Sequence, residues 1–155
     1  MIIIKPDNKI KKRFKDIDFR SLSLVYSLLF DNVYKAKKKR TYNLSLKLTA
    51  GEYSYYTQQQ GRNIRINISE LIFDEKQFHL TLLHEFRHFV QDKALRIPWT
   101  RKFYDDRTVY KYMMSPAEID ADNFSEKSVS KVICLYKRMV KFKSTVEDLS
   151  NFKGK

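Results

Sequence analysis

Residues 74–96 read DEKQFHLTLLHEFRHFVQDKALR, contain no glycine or proline, and end two residues before Pro98. An uninterrupted segment that ends shortly before a proline predicts one helix. His84 and His88 stand four residues apart in it, so their side chains project from the same face, one turn apart. Two imidazole nitrogens in this arrangement can bind one tetrahedral zinc ion. The segment therefore predicts both a central helix of the fold and a metal site on that helix.

Glu85 follows the first histidine and points around the helix, so it is predicted not to bind the metal itself. A zinc ion lowers the pKa of its bound water towards about 7, and a neighbouring carboxylate can then remove a proton at neutral pH. The H-E-x-x-H spacing thus supplies two ligands and a candidate general base, Glu85. His79 lies off the ligand face and is predicted to be structural.

A catalytic zinc site needs a third protein ligand and leaves the fourth position to water. No histidine follows His88, and we select Glu118, thirty residues further on in SPAEIDADNF (115–124). Asp122, one turn beyond Glu118, is placed to accept the other ring N–H of a ligating histidine. The alternative role of Glu118 is a capping box with Ser115. Other candidates for the third ligand are Asp105, Asp106, Asp120 and Asp122.

The two segments HEFRH (84–88) and EIDAD (118–122) resemble the zincin metallopeptidases of the gluzincin type. EIDADNF is also similar to the small cytoplasmic ImmA/IrrE-like peptidases. The resemblance covers roughly residues 63–125. It implies that His84, His88 and Glu118 bind zinc and that Glu85 is the general base. One departure is Arg87, where these families usually have a small residue; its guanidinium is expected to reach solvent or pair with a carboxylate.

Two further features bear on the peptide hydrolysis that the resemblance implies. Tyr110 and Tyr112 are candidates to stabilise an oxyanion, a role that a tyrosine fills in some gluzincins, and packing or surface roles are open for both. The backbone of NIRINIS (63–69) is a candidate to bind an extended peptide as an added strand, unless this strand is central.

The remaining patterns predict an α+β fold in a single domain spanning residues 1–155. YNLSLKLT (42–49) and NIRINIS (63–69) alternate apolar and polar residues and predict a small, twisted, mostly antiparallel sheet. Apolar spacing predicts a helix over 19–39, and Ser115 followed by Pro116 predicts the start of a long C-terminal helix. With the metal-site helix these elements match the order that the resemblance to the gluzincins implies, a minimal zincin-like domain.

Lysine and arginine number 31 against 18 acidic residues, a net charge of +13. Such a surface can bind nucleic acid, an acidic protein or anionic lipid, or it can be solvated without a partner. A single cysteine, Cys134, excludes an intrachain disulfide and a cysteine-based zinc cluster. Neither a signal peptide nor an apolar run long enough for a bilayer is present, which predicts a cytoplasmic protein without a membrane partner.

The leading functional prediction is a zinc-dependent peptidase that cleaves a cytoplasmic protein through a water activated by Glu85. The alternative is a basic, nucleic-acid-associated protein whose zincin core is inactive or acts on DNA-bound proteins. A third possibility is a degenerate zincin that serves as an interaction module.

Overall fold

The computed structural model describes residues 1–33, 40–95 and 115–152, which form an α+β fold. The strands are β1 (Ile2–Pro6), β2 (Tyr42–Thr49), β3 (Tyr55–Gln58) and β4 (Asn63–Ser69). The α-helices are α1 (Asn8–Arg13), α2 (Phe19–Val33), α3 (Glu75–Val90) and α4 (Pro116–Phe152). A π-helical segment, Gln91–Leu95, follows α3 directly. Helix α4 extends beyond the predicted end at residue 143, because no glycine or proline interrupts it before residue 152.

The four strands form one mixed sheet in the order β1-β2-β4-β3. The prediction of a mostly antiparallel sheet is wrong: β1 with β2 and β2 with β4 pair in parallel, and only β3 pairs antiparallel, with β4. Helices α1 and α2 cross over between β1 and β2, and such a crossover returns the chain in the same direction. Strand β4 turns back from β3 at Gly61, which has a φ of +64°, and inserts beside β2.

One face of the sheet carries the core. The predicted alternation is confirmed on the two central strands, where the inward side chains are buried: Leu44, Leu46, Ile64, Ile66 and Ile68. Buried residues of all four described helices join the same cluster. Aromatic rings fill the space between α2 and α3, with the ring centroids of Tyr26 and Phe86 4.9 Å apart and those of Phe30 and Phe89 5.2 Å apart.

The two edges of the sheet differ. On β1, the N–H of Ile2 donates to Ser27 Oγ at 2.7 Å and that of Ile4 donates to Ser23 Oγ at 2.9 Å, so hydroxyls of α2 cover this edge. Strand β3 forms the opposite edge. Strand β4 is paired on both sides, so the predicted addition of a peptide to residues 63–69 is excluded. Within the described ranges, no helix combines the length and apolar character that crossing a membrane requires.

Candidate metal centre

Helix α3 presents one side to the core and another to α4. Its start is defined by Asp74, whose carboxylate accepts the N–H of Gln77 at 2.8 Å. The core side of α3 buries Phe78, Leu82, Phe86 and Phe89. The side that faces the first turns of α4 carries His84 and His88, as the four-residue spacing predicts.

Helix α4 brings the predicted third residue to these histidines. Glu118 Oε2 lies 3.1 Å from His84 Nε2, and Glu118 Oε1 lies 3.1 Å from His88 Nε2. The two Nε2 atoms are themselves 3.1 Å apart. His88 is 2% and Glu118 8% exposed, whereas the side chain of His84 is 19% exposed, so the group opens to solvent at His84. His84, His88 and Glu118 therefore form a group that can hold a metal ion.

The sequence predicted two alternative roles for Glu118 at the start of α4: a metal ligand, or a capping box with Ser115. Ser115 Oγ accepts the N–H of Glu118 at 3.3 Å, so the serine caps the helix as predicted. The carboxylate of Glu118 meanwhile lies against the two imidazoles. The serine cap uses the backbone N–H of Glu118, which leaves the carboxylate of Glu118 to approach the histidines.

Each histidine has an acceptor at its other ring nitrogen. Asp122 Oδ1 lies 2.9 Å from His84 Nδ1, the position that the sequence predicts for it. His88 Nδ1 lies 2.9 Å from Gln91 Oε1. A carboxylate or amide oxygen at Nδ1 fixes the proton there and leaves the Nε2 lone pair facing the group. Two lone pairs and a carboxylate then converge at about 3 Å, an arrangement that a cation satisfies.

The amide of Gln91 is held in one orientation. Its Nε2 atom donates to the backbone oxygen of Ala117 and to Asp120 Oδ2, both at 2.8 Å. A carbonyl oxygen can only accept, so the amide nitrogen must face α4 and the amide oxygen must face His88. Gln91 is completely buried, and it lies at the first position of the π-helical segment.

Arg87 pairs with a carboxylate, one of the two outcomes expected for it. Its Nε donates to Asp120 Oδ2 at 2.7 Å and a terminal nitrogen donates to Oδ1 at 3.1 Å. The guanidinium also lies 4.7 Å from the ring centroid of Phe124. The hydrogen bond from Arg87 is the main reason that the pKa of Asp120 lies below its usual value. Asp120 is therefore a link between α3 and α4 and not a ligand of the metal group.

Glu85 lies on the sheet side of the metal group. Its side chain is buried, and burial raises its pKa to about 6 although the two histidines pull it down. The backbone N–H of Tyr56, on edge strand β3, lies near the carboxylate and also lowers its pKa. Burial lowers the pKa of His84, but the carboxylates of Glu118, Glu85 and Asp122 outweigh that effect and raise it.

Four predicted candidates fall outside the described residues: Tyr110, Tyr112, Asp105 and Asp106. His79 lies away from the metal group, fully buried, with its ring centroid 5.5 Å from that of Tyr136. The structure thus brings His84, His88, Glu118 and Asp122 together and leaves His79 apart.

Three contributors to the site were not selected from the sequence. Gln91 stands three residues after His88, a spacing that places the two on one helix face, and this signal was available. Asp120 was considered only as a ligand, and its pairing with Arg87 needs the docking of α4 on α3. The contact of Tyr56 with Glu85 uses a backbone N–H, which leaves no trace in the side-chain pattern.

Comparisons with protein-family models, with curated proteins and with solved structures found no match to this chain.

Proposed function

We propose that this protein is a zinc-dependent metallopeptidase that hydrolyses peptide bonds of a protein substrate. The observation that carries the proposal is the convergence of His84, His88 and Glu118, in which the two Nε2 atoms lie 3.1 Å apart and each Glu118 oxygen lies 3.1 Å from one of them, beside the buried carboxylate of Glu85. Two histidines and one carboxylate are a ligand set used by catalytic zinc, whereas structural zinc sites are closed by four protein ligands, usually including cysteine.

The spacing of the three donors fits zinc. Ligands at about 2.0–2.1 Å in tetrahedral geometry stand roughly 3.3 Å from one another. The two histidine Nε2 atoms, 3.1 Å apart, lie close to that value, and each carboxylate oxygen of Glu118 lies 3.1 Å from one of them, so one of these oxygens could serve as the third ligand after a small adjustment. The Nδ1 contacts to Asp122 and Gln91 further support this assignment, since ligating histidines almost always donate their second N–H to an oxygen.

A zinc ion held by these residues would supply a Lewis acid that polarises the scissile carbonyl and makes a water more acidic. Glu85 would then accept the proton of the attacking water at its carboxylate. The same carboxyl group would pass that proton to the amide nitrogen as the peptide bond breaks. The near-complete burial of Glu85, with the Tyr56 N–H nearby, would restrict the orientation of the carboxylate during both transfers.

A peptide is the favoured substrate because an edge strand borders the site. The N–H of Gln59 donates to the Asn63 carbonyl oxygen at 2.9 Å. By the alternation of an antiparallel ladder, the backbone groups of Tyr56 and Gln58 point away from β4. The Tyr56 N–H on that edge faces Glu85, so an extended peptide that pairs with the neighbouring outward-facing backbone of Gln58 would pass next to the proposed base.

The experiment compares Glu85→Gln with Glu126→Gln, a matched change at an exposed position of α4. Zinc content is measured by atomic absorption, and cleavage is followed by mass spectrometry on a library of unstructured peptides. We expect Glu85→Gln to bind one zinc ion and to lose cleavage by at least about a hundredfold. Glu126→Gln should match the unchanged protein in both measurements. Undiminished cleavage by Glu85→Gln would contradict the assigned base, and zinc-loaded protein that cleaves nothing in the library would contradict the peptidase.

A further inference from the structure

The outer face of the sheet, opposite the helices, carries cations without counter-charges. The side chains that point outward from the strands include Lys5, Lys47 and Arg65, whereas the last outward residues of β4, Asn67 and Ser69, are buried. None of these three has an ion pair among the described residues. No aspartate or glutamate occupies an outward strand position on this face. The described part of the sheet therefore presents a positive surface that its own side chains do not neutralise.

The strand register sets the spacing of these charges. Lys5, Ser45 and Arg65 are neighbours across β1, β2 and β4, and Lys47 lies two residues along β2 from Ser45. With strands about 4.8 Å apart, the Cα atoms of Lys5 and Arg65 are roughly 10 Å apart, and Lys47 is about 8 Å from each. The three cations form a compact triangle that can contact several anionic groups of one ligand.

Arg65 supplies an independent sign of a missing acceptor. Its Nε atom is buried and has no hydrogen-bond partner among the described residues. A buried guanidinium nitrogen without an acceptor is costly, and arginine is the residue best suited to phosphate oxygens. An oxyanion that accepts a hydrogen bond from this guanidinium would remove the desolvation cost of the unpaired nitrogen.

The face also holds a surface for planar groups. Tyr55 points outward from β3 and is 44% exposed, next to Asn67 on β4. The side-chain amides of Asn43 and Asn63 occupy the other end of the face and are joined by a 3.2 Å hydrogen bond. Aromatic rings that stack on bases, amides that contact base edges and cations that contact phosphates are the combination found on sheets that bind unpaired nucleotides.

We propose that this face, defined by Lys5, Lys47, Arg65 and Tyr55, binds single-stranded nucleic acid. A lipid bilayer is the less suitable anionic partner, because surface binding to a bilayer needs several apolar anchors. Among the outward strand residues that the structure describes, Tyr55 is the only large hydrophobic side chain that is exposed. A duplex is also less suitable, because its bases are stacked inside and cannot reach the tyrosine ring.

The test uses the full chain and fluorescence anisotropy with labelled twelve-nucleotide oligo-U and oligo-dT, over a series of salt concentrations. The first variant combines Lys5→Gln, Lys47→Gln and Arg65→Gln. Its matched control combines Lys127→Gln, Lys131→Gln and Arg138→Gln, which removes the same charge from exposed positions of α4. A second variant, Tyr55→Ala, removes the ring without changing the charge, and far-ultraviolet circular dichroism checks that each variant is folded.

We expect the face variant to reduce the slope of log affinity against log salt by about 2, since each lost phosphate contact contributes about 0.7 for single strands. Tyr55→Ala should weaken binding at least about fivefold at every salt concentration. Equal losses in the face variant and the α4 control would overturn the proposal, as would tighter binding to a duplex or to vesicles containing phosphatidylserine than to the single strands. Stronger binding of oligo-U than of oligo-dT assigns the ligand as RNA, and the reverse assigns it as DNA.

This surface is separate from the metal centre, since the sheet lies between them. His84→Ala should therefore leave oligonucleotide binding unchanged while removing the metal. The nucleic-acid surface and the peptidase can thus succeed or fail independently of each other.

Discussion

Gln91 Oε1 lies 2.9 Å from His88 Nδ1, and the same amide donates to the backbone oxygen of Ala117 at the start of α4. The protonation of one ring nitrogen on α3 is therefore set by the backbone of another helix. If α4 moved away, the amide would be free to turn, and the proton of His88 could move to the nitrogen that faces the metal group. Metal binding and the docking of α4 on α3 should consequently depend on one another.

Gln91→Leu should weaken zinc binding by about 10- to 100-fold, the usual effect of losing the oxygen that orients a ligating histidine. Competition with a chromogenic chelator, at a temperature where the variant is folded, measures the affinity. Gln60→Leu, the same change at an exposed position, is the control and should bind zinc normally. Equal affinities for the two variants would remove Gln91 from the metal site.

Asp122→Ala should weaken zinc binding by about tenfold, the lower end of the range for such partners. The Asp122 side chain is 63% exposed, so water can replace the lost oxygen at His84 Nδ1, whereas no water reaches the buried position of Gln91. Asn123→Ala on the adjacent exposed position is the control. A larger loss for Asp122→Ala than for Gln91→Leu would contradict the importance of burial.

Glu118→Ala and Ser115→Ala separate the ligand from the cap. Ser115→Ala should lower the free energy of unfolding by about 1 kcal/mol and leave zinc stoichiometry at one. Glu118→Ala should abolish stoichiometric zinc binding, since it removes one of the three donors. Chemical denaturation and metal analysis of the two variants test this. Full zinc content in Glu118→Ala would remove the glutamate from the ligand set.

Tyr26→Phe should stabilise the protein by about 1 kcal/mol. The Tyr26 hydroxyl is buried and has no hydrogen-bond partner among the described residues, so its removal relieves an unmet desolvation cost. Tyr55→Phe, at an exposed ring, should change the free energy of unfolding by less than about 0.5 kcal/mol. Urea denaturation measures both variants, and a destabilised Tyr26→Phe would indicate that the hydroxyl has a partner in solution.

His79 should make the fold sensitive to mild acid. Burial lowers its pKa from 6.5, with Lys137 acting in the same direction and Glu75, 3.7 Å away, opposing. The unfolded chain then binds a proton at a higher pH than the folded protein does. The stability that depends on neutral His79 is therefore complete above pH 6.5 and decreases as the pH falls below it, down to the lowered pKa of the folded state.

His79→Leu should remove this part of the acid sensitivity. The measurement is urea denaturation of the unchanged protein and the variant at pH 7.5 and at pH 5, and the quantity compared is the loss of stability between the two. The variant should lose less than the unchanged protein. An identical loss would show that protonation of His79 does not contribute.

Much of the site was predictable from local spacing. A helix has a fixed period, so the four-residue separation of His84 and His88 places both on one face whatever surrounds them. The same rule puts Asp122 one turn beyond Glu118, and alternation in a strand puts Ile64, Ile66 and Ile68 on the buried face. These predictions depend only on the geometry of a single element.

The sheet topology was not predictable in the same way. Side chains alternate in the same way in parallel and antiparallel strands. The sequence pattern of residues 63–69 therefore does not predict which strands pair with β4. Insertion of β4 between β2 and β3 decides that β3, and not β4, is the edge strand next to Glu85 in the described sheet.

The sequence by itself determined which residues share a helix face or a strand face: the two histidines, the glutamate beside them, and the Glu118 and Asp122 pair on the following helix. Only the tertiary structure decided that Glu118 reaches both Nε2 atoms, that Gln91 connects His88 to Ala117, and that Asp120 pairs with Arg87. The physical reason is the sequence separation of the residues that are in contact. Spacing along one element is fixed by backbone periodicity, whereas contacts between α3 and α4 depend on how their side chains pack, and that packing involves residues far apart in the chain.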